Sequence, residues 1–509
     1  MVIACMKTSF LKNAAVLTVT GLILRFLGII FKVWLAAEIG AEGVGLYQIV
    51  FSVYVLAATF ATSGICTAVT RLVTEELALG GKTGVKLILK RCFFLTLIIA
   101  AISFSALFFG ADFISDTILN QPNAALSIKV ASVSLPFMGI CSCLRGYFAA
   151  RRNATPSALS QIFEQLIRIA TVIIALKLFG GFGIAVTLAA VMLGDTVAEA
   201  LGCLFIYILY KRDIIKVENR GRKRPPYRIF KAINHIALPI TSGRYLNSLL
   251  RTAENIISPT SLAKNPRLSD GALSLFGMIK GMALPILFFP STLISSVSVL
   301  LLPEMTEAMA LGHDKKVKYA TEKIIRLTLL VGLFCGAVFL IAGDKIGMLL
   351  YKSDDVGFLL CALSPIVPLM YLDGICDGIL KGLDCQRFTF FSSVGDSALR
   401  LLLIPLILPR YGVMGFIGIM YFSNLLTCAL NSIKLISVSH AKINISKTIL
   451  LPLILALASV VLCDKLFGVV FKPPLTVYII LICLFSFLIY IIGIFAFKCI
   501  SKEEIKSIL

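Results

Sequence analysis

Arg25 and Lys32 lie seven residues apart inside an apolar stretch, and Arg244 and Arg251 repeat that spacing 219 positions later. Seven residues is two helical turns, so each pair shares one face of its helix. Both stretches, Ala14–Ala37 and Ala232–Ile257, are long enough to cross a bilayer. A cation near the middle of a spanning helix costs about 2.5–3.5 kcal/mol on insertion scales. Two matched pairs therefore point to a wet, positively charged cavity between helices and to an anionic substrate.

Eight basic residues fall within apolar stretches: Arg25, Lys32, Lys129, Arg168, Arg244, Arg251, Lys280 and Arg400. The acids there are Glu164, Asp195, Glu199, Glu254, Asp373, Asp377 and Asp396. Left unpaired at mid-membrane, the eight cations would cost on the order of 20 kcal/mol, more than a folded protein has in reserve. They must be paired, snorkel to an interface, or face water. Glu164–Arg168 and Asp396–Arg400 are each an acid four residues before an arginine, a spacing that permits an ion pair as readily as a substrate role. Arg251 has Glu254 at i+3 and is open to the same explanation. Lys129 and Lys32 sit toward span ends, from which a lysine reaches water. Arg25, Arg244 and Lys280 have no acid within four positions of the sequence and lie deeper. These three are the leading candidates for an anion site, with Lys32 and Arg251 as its outer members. Arginine's planar fork suits a phosphate, and lysine adds a point charge.

The acids Asp195 and Glu199 share a helix face, as do Asp373 and Asp377. Such pairs are candidates to carry a coupling ion, H+ or Na+, or to share a proton. The alternative is that they pair with basic residues of neighbouring helices. No catalytic residue set emerges. The three histidines, His235, His313 and His440, share no motif with an acid, and no P-loop, Gly-x-Ser-x-Gly or HExxH is present. Nor is a metal site or an organic cofactor indicated. The 14 cysteines fall almost wholly in apolar stretches, and Cys141-Ser142-Cys143 is too close-set for zinc by itself. They are expected to be small packing residues.

The elements that position these side chains are membrane helices. Apolar residues make up 58% of the 509-residue chain, and the mean hydropathy is +0.95, far above soluble proteins. Fourteen spans are expected, near 14–37, 45–70, 87–109, 126–148, 157–179, 183–210, 232–257, 272–303, 321–343, 356–380, 388–408, 412–433, 447–468 and 475–497. The first is preceded by Lys7 and Lys12 but is too long and too charged for a signal peptide, so it is expected to be retained. The eighth contains Pro285 and Pro290 and is expected to kink or break there. The longest polar segment, Lys211–Lys231, is too short for a soluble catalytic domain and carries nine basic residues, including Arg222-Lys223-Arg224. Between two spans such a run reads as an anchor on anionic lipid rather than a nucleic-acid patch. Lys and Arg concentrate in alternate loops, so both termini are expected in the cytoplasm. The net charge of +21 is then mostly orientation.

The second half echoes the first. Besides the Arg/Lys pairs, Glu164–Arg168 answers Asp396–Arg400, and Arg145-Gly146 answers Lys381-Gly382. The expected fold is an all-α polytopic membrane protein of about 14 transmembrane helices, two six-helix halves in pseudo-twofold arrangement plus two C-terminal helices. Its parts are a lobe over 1–210, a basic cytoplasmic linker over 211–231, a second lobe over 232–440, and two additional helices with a tail over 441–509. Repeats in the same orientation are a transporter architecture.

Four segments resemble the multidrug/oligosaccharidyl-lipid/polysaccharide exporter superfamily, in its branch of sporulation and lipid II flippases. They are the first span with Arg25 and Lys32; Thr62-Ser63-Gly64-Ile65 through Ala68 and Arg71; Leu144-Arg145-Gly146-Tyr147-Phe148 with Pro156, Ser160-Gln161, Glu164-Gln165 and Arg168; and Lys280-Gly281-Met282-Ala283-Leu284-Pro285 through Pro290 and Leu302-Pro303-Glu304. Two positions depart from the pattern: Ala150 stands where glycine is usual, and Ser52–Thr70 lacks the arginine of the better-studied lipid II flippases. Arg25 and Lys280 match basic positions of their central cavity. The resemblance implies a multi-pass protein of the cytoplasmic membrane, not an enzyme. It would flip an undecaprenyl-pyrophosphate-linked saccharide, such as a peptidoglycan precursor for spore cortex or cell wall, by alternating access. Cell-wall synthesis enzymes would be its partners, besides the lipid-linked substrate and membrane lipid. An ion-coupled drug/cation antiporter of the same superfamily would use acidic cavities. A membrane-embedded glycosyl- or phosphotransferase would need an acid cluster near a membrane face, which only Asp373 and Asp377 approach, and a scaffold would leave the buried cations unexplained.

Overall fold

A computed structural model describes residues 2–62, 64–79, 81–217, 226–292, 294, 305–309, 311–471, 473–497 and 499. The basic triplet Arg222-Lys223-Arg224 and the Leu302-Pro303-Glu304 motif lie outside the described residues. The protein is an all-α, polytopic membrane protein. Eight helical stretches among the described residues are long and apolar enough to cross a bilayer, and one bent pair makes a ninth. Two of the eight, Ala15–Ala78 and Gln386–Ser439, run 64 and 54 residues, over twice the ~20 needed for one crossing. Each covers two expected spans.

Glycine explains how one helical run crosses twice. Helix α1 (Val2–Thr62) is broken at Gly40, whose φ of 70° is open to glycine and strained for other residues. The equivalent break in the second long run falls at Gly412, with φ 54°.

Contacts divide the chain into two units. Unit 1 takes residues 1–31 and 42–257, and unit 2 takes 32–41 and 258–509. In unit 1, α1 is followed by α2 (Ile65–Leu79), α3 (Lys82–Phe113), α4 (Ala125–Ser132), α5 (Leu135–Ala150), α6 (Thr155–Phe179), α7 (Ile184–Ile214) and α8 (Pro226–Ala263). The fourth expected span is the α4–α5 pair, bent by 43° where Pro136 enters the first turn of α5 and removes a backbone donor. Side chains at helical spacing build the core: Ile65, Ala68, Val69, Leu72 and Val73 of α2 meet Val85, Ile88, Leu89 and Cys92 of α3 and Cys141, Leu144 and Phe148 of α5. Gly64 brings α8 close, since a Cβ there would stand 2.5 Å from the Ala237 carbonyl oxygen. The start of α1 is tied to the α5–α6 turn: Asn13 donates to the Arg152 carbonyl at 2.6 Å and accepts from the Ala154 amide at 3.2 Å.

Unit 2 opens with α9 (Ala272–Gly277), a π-helical stretch over Met278–Ala283, and α10 (Leu284–Phe288). Where a kink or break was expected in the eighth span, a widened turn lies directly before Pro285 and the helix runs on into α10. Proline lacks the amide that would continue the ladder, and the backbone accommodates it by one longer turn. Then come α11 (Asp314–Tyr351), α12 (Asp354–Leu363), α13 (Val367–Gly382), α14 (Gln386–Ser439), α15 (Leu451–Lys465) and α16 (Leu475–Ala496). Ser353 caps α12 by accepting from the Val356 amide, with Asp354 and Asp355 at the positive end of the helix. α11 is the hub: it packs against α12, α13 and α15.

Candidate functional site

In unit 1 the charged residues of α5, α6 and α7 form one network. The Glu164–Arg168 pair forms within α6 at 3.1 Å, as the i,i+4 spacing requires. Arg168 also reaches α7, with Nε 2.5 Å from Asp195 and a terminal nitrogen 3.9 Å from Glu199, and it donates to Gln165 at 2.8 Å. From α5, Arg145 donates to the second oxygen of Glu164 at 2.8 Å. The Asp195 and Glu199 side chains are each 8% exposed, so these charges compensate one another in a low dielectric. Of the two readings of the α7 acids, pairing with a neighbouring helix is met by Arg168. Yet three carboxylates face two arginines, and Asp195 Oδ2 has no hydrogen-bond partner among the described residues.

Sequence reasoning named Arg145 in the echo of Lys381 and in the family-like segment but gave it no partner. Its partner is 19 positions away on another helix, and no local spacing announces such a pair. The neighbours of Arg145 in the Leu144–Phe148 segment have other tasks. Leu144, Tyr147 and Phe148 are core residues, and the Tyr147 hydroxyl donates to Asp213 at 2.6 Å, which also receives Arg151 at 2.9 Å.

Unit 2 holds a smaller counterpart. Arg400 meets Asp396 at 2.6 Å and donates through Nε to Ser423 at 2.6 Å, while Ser423 donates to Asp396. Asp377 is engaged by Lys381, one turn on, at 2.5 Å. Asp373 receives the amide of Asn431, across from α14, at 2.8 Å. Near the other end of α11, Lys345 donates to Asp464 of α15 at 2.8 Å and to Tyr478 of α16 at 2.6 Å, and Tyr478 donates to Asp464. This three-way tie joins the two additional helices to α11, and it too escaped the sequence reading.

The candidate anion-binding residues are placed differently. Arg25 and Lys32 on α1, and Arg244 and Arg251 on α8, are all exposed. Glu254, three positions beyond Arg251, is buried instead. Arg25, Arg244 and Arg251 belong to unit 1 and Lys32 to unit 2. Lys280, also in unit 2, sits half-buried within the π-helical stretch, 5.9 Å above the Phe416 ring. Arg25 and Lys280 each have interaction partners of their own.

Charge networks on two groups of helices and basic residues exposed on α1 and α8 thus mark a polytopic, all-α membrane protein. Its sequence matches the polysaccharide biosynthesis protein family over residues 10–309, and the chain belongs to that family. It is similar to the stage V sporulation protein B of Bacillus subtilis (strain 168), at 26% identity over 99% of this chain and 98% of that one. It is also similar to the lipid II flippase MurJ of the same organism, at 23% identity over 79% and 78% of the two chains. Among solved structures, a lipid II flippase MurJ in an inward closed conformation superposes with a TM-score of 0.65 at 14% identity, covering 94% of this chain and 98% of that one. An inward-facing multidrug resistance MATE family transporter of the MOP superfamily superposes with a TM-score of 0.64 at 14% identity, covering 82% and 96%. These superpositions establish the fold.

Proposed function

We propose that this protein is a flippase that moves an undecaprenyl-pyrophosphate-linked saccharide, lipid II or a related lipid-linked oligosaccharide, across the cytoplasmic membrane by alternating access. The observation that carries this reading is the sorting of the intramembrane cations. Arg145, Arg168 and Arg400 are held by carboxylates, as is Lys129 by Asp112, whereas Lys32, Arg244 and Arg251 are exposed on their helices. An exposed cation on a spanning helix needs water or an anion, and a diphosphate offers two acidic groups for arginine forks. The names of the relatives point the same way, since one is a lipid II flippase and another a sporulation protein. In this reading Arg25, Arg244 and Lys280 take the diphosphate, with Lys32 and Arg251 at its edge, and the polyprenyl tail stays in lipid. Driving force comes from H+ or Na+ at carboxylates among Asp195, Glu199, Asp373 and Asp377, or from the membrane potential, with no organic cofactor. Both termini lie in the cytoplasm, the cargo serves spore cortex or cell wall, and synthesis enzymes hand it over. An antiporter of cationic drugs is disfavoured by the basic character of the exposed set.

The test is flipping of labelled lipid II in vesicles containing the purified protein. Arg25→Ala, Arg244→Ala and Lys280→Ala are each expected to abolish translocation while the protein still inserts and folds. Undiminished flipping in all three would sink the diphosphate assignment.

A further inference from the structure

The segment that carries Lys280 is held by hydroxyl groups as well as by its own helical ladder. In its π-helical part the Leu284 amide reaches back five residues to the Ile279 carbonyl, and Pro285 has no amide with which to continue. Past Phe288 the bonds shorten to i→i+3: Phe289 donates to Ile286 at 3.2 Å and Thr292 to Phe289 at 3.1 Å. In that register the Leu287 carbonyl falls to residue 290, which is proline and has no N–H. The ladder is thus interrupted on both sides of α10.

Hydroxyls of unit 2 stand at these interruptions. Tyr371 of α13, 2% exposed, donates to the Leu287 carbonyl at 2.6 Å. Ser291 and Thr292 donate to the Phe288 and Phe289 carbonyls at 2.7 and 2.5 Å. Tyr351, the last residue of α11, donates to the Met282 carbonyl at 3.4 Å, inside the π-helical stretch. Tyr371 comes this close because α11 lets α13 in: a Cβ at Gly332 would stand 2.9 Å from Pro368 and 3.5 Å from the Tyr371 ring. A buried tyrosine needs some partner for its hydroxyl, and any carbonyl would serve that need. Here two tyrosines from different helices take carbonyls of the same interrupted helix, one before Pro285 and one after it.

A buried carbonyl left without its donor costs about 1–3 kcal/mol. Removing the Tyr371 hydroxyl therefore favours another arrangement of the turns around the prolines. Lys280 precedes Leu287 by seven residues on the same run, so a change in those turns moves its ammonium group. A binding group must be held to within about 0.5 Å to keep its contacts.

We propose that Tyr371, supported by Tyr351, is a positioning residue for Lys280, which it fixes by bonding main-chain carbonyls of the proline-interrupted helix. The consequence for cargo rests on the reading of Lys280 as a diphosphate ligand; the placing of Lys280 does not.

The experiment uses the full-length protein in nanodiscs and has two readouts. One, taken without cargo, is the rate at which the Lys280 amine is acylated by an N-hydroxysuccinimide ester, followed by peptide mass spectrometry with Lys434 as internal reference. Tyr371→Phe should change the Lys280 rate and leave that of Lys434 as in the wild type. The other is the affinity for undecaprenyl diphosphate. Tyr371→Phe should weaken it about fivefold or more, the scale of coupling within one network, and should weaken it no further in a Lys280→Ala background. A purely structural role would cost the same in both backgrounds. Pro290→Ala supplies the missing amide, so adding it to Tyr371→Phe should restore both readouts. Tyr421→Phe removes a hydroxyl bonded to the Ala362 carbonyl elsewhere in unit 2 and should change neither. Should Tyr371→Phe fail to fold, Tyr351→Phe is expected to shift both readouts the same way by less, its bond being longer. An unchanged Lys280 rate in both tyrosine variants would overturn the positioning role. So would an affinity loss that persists undiminished without Lys280, or none in Tyr371→Phe where Lys280→Ala shows one. Wild-type affinity in Lys280→Ala, with the change in acylation intact, would count against the diphosphate reading alone.

Discussion

Arg168 bears more of the unit 1 network than any other side chain, and Arg168→Met measures what that network contributes. Methionine keeps the length and the apolar stem but removes the charge that Glu164, Asp195 and Glu199 share. Only Arg145 then remains, and it is engaged with Glu164. Removing one partner of a buried ion pair costs about 3–5 kcal/mol, because the other charge is left uncompensated. The Asp195 and Glu199 side chains are 8% exposed, so water does little to soften the loss. Arg71–Glu75 is the internal comparison: an i,i+4 pair at 3.3 Å with side chains 67% and 38% exposed, worth at most about 0.5 kcal/mol. Equilibrium unfolding in mixed micelles should separate Arg168→Met from Arg71→Met by about 3 kcal/mol. A second change tests the cause. Adding Asp195→Asn to Arg168→Met should recover at least about 1 kcal/mol, since it removes a stranded charge. An Arg168→Met protein within about 0.5 kcal/mol of wild type, or a double variant no better than the single, would refute the reasoning.

Two further outcomes follow from packing. Gly64→Val should destabilise unit 1 by about 2 kcal/mol or more in the same unfolding measurement, because φ is +74° and a Cβ meets the α8 backbone at 2.5 Å; a neutral result would mean that α8 does not approach so closely. Lys345→Met should loosen α15 and α16, whose Asp464 and Tyr478 it holds. The pair is partly exposed, so the cost should be only about 1 kcal/mol, and hydrogen exchange should rise over residues 451–496 more than over α13.

What the sequence made legible is what helix geometry fixes locally. Glu164–Arg168 and Asp396–Arg400 form as i,i+4 pairs because a helix allows little else, and Pro285 marks the place where the helix widens by a turn. Two kinds of feature were out of reach. Arg145–Glu164, Asp373–Asn431 and Lys345–Asp464–Tyr478 join residues 14 to 133 positions apart, and only the packing of helices brings them together. The continuity of α1 across Gly40 and of α14 across Gly412 was hidden as well. A loop was expected at both places, whereas one residue with positive φ redirects a helix that otherwise continues.

Helices in lipid gain no hydrophobic drive toward one another, so small residues and polar bonds must hold them. In unit 1 the α5–α6–α7 network does this with Arg145 and Arg168, each ion-paired to carboxylates of neighbouring turns and helices. The exposed cations stand on other helices, α1 and α8. On the proposed reading, cohesion and anion binding fall to different elements. On the flippase reading the two should separate under mutation: changes at Arg145 or Arg168 lower stability and transport together, while changes at Arg25 or Arg244 lower transport at wild-type stability. A protein in which both sets behaved alike would have its cargo bound by the network itself, and the division drawn from exposure would be wrong.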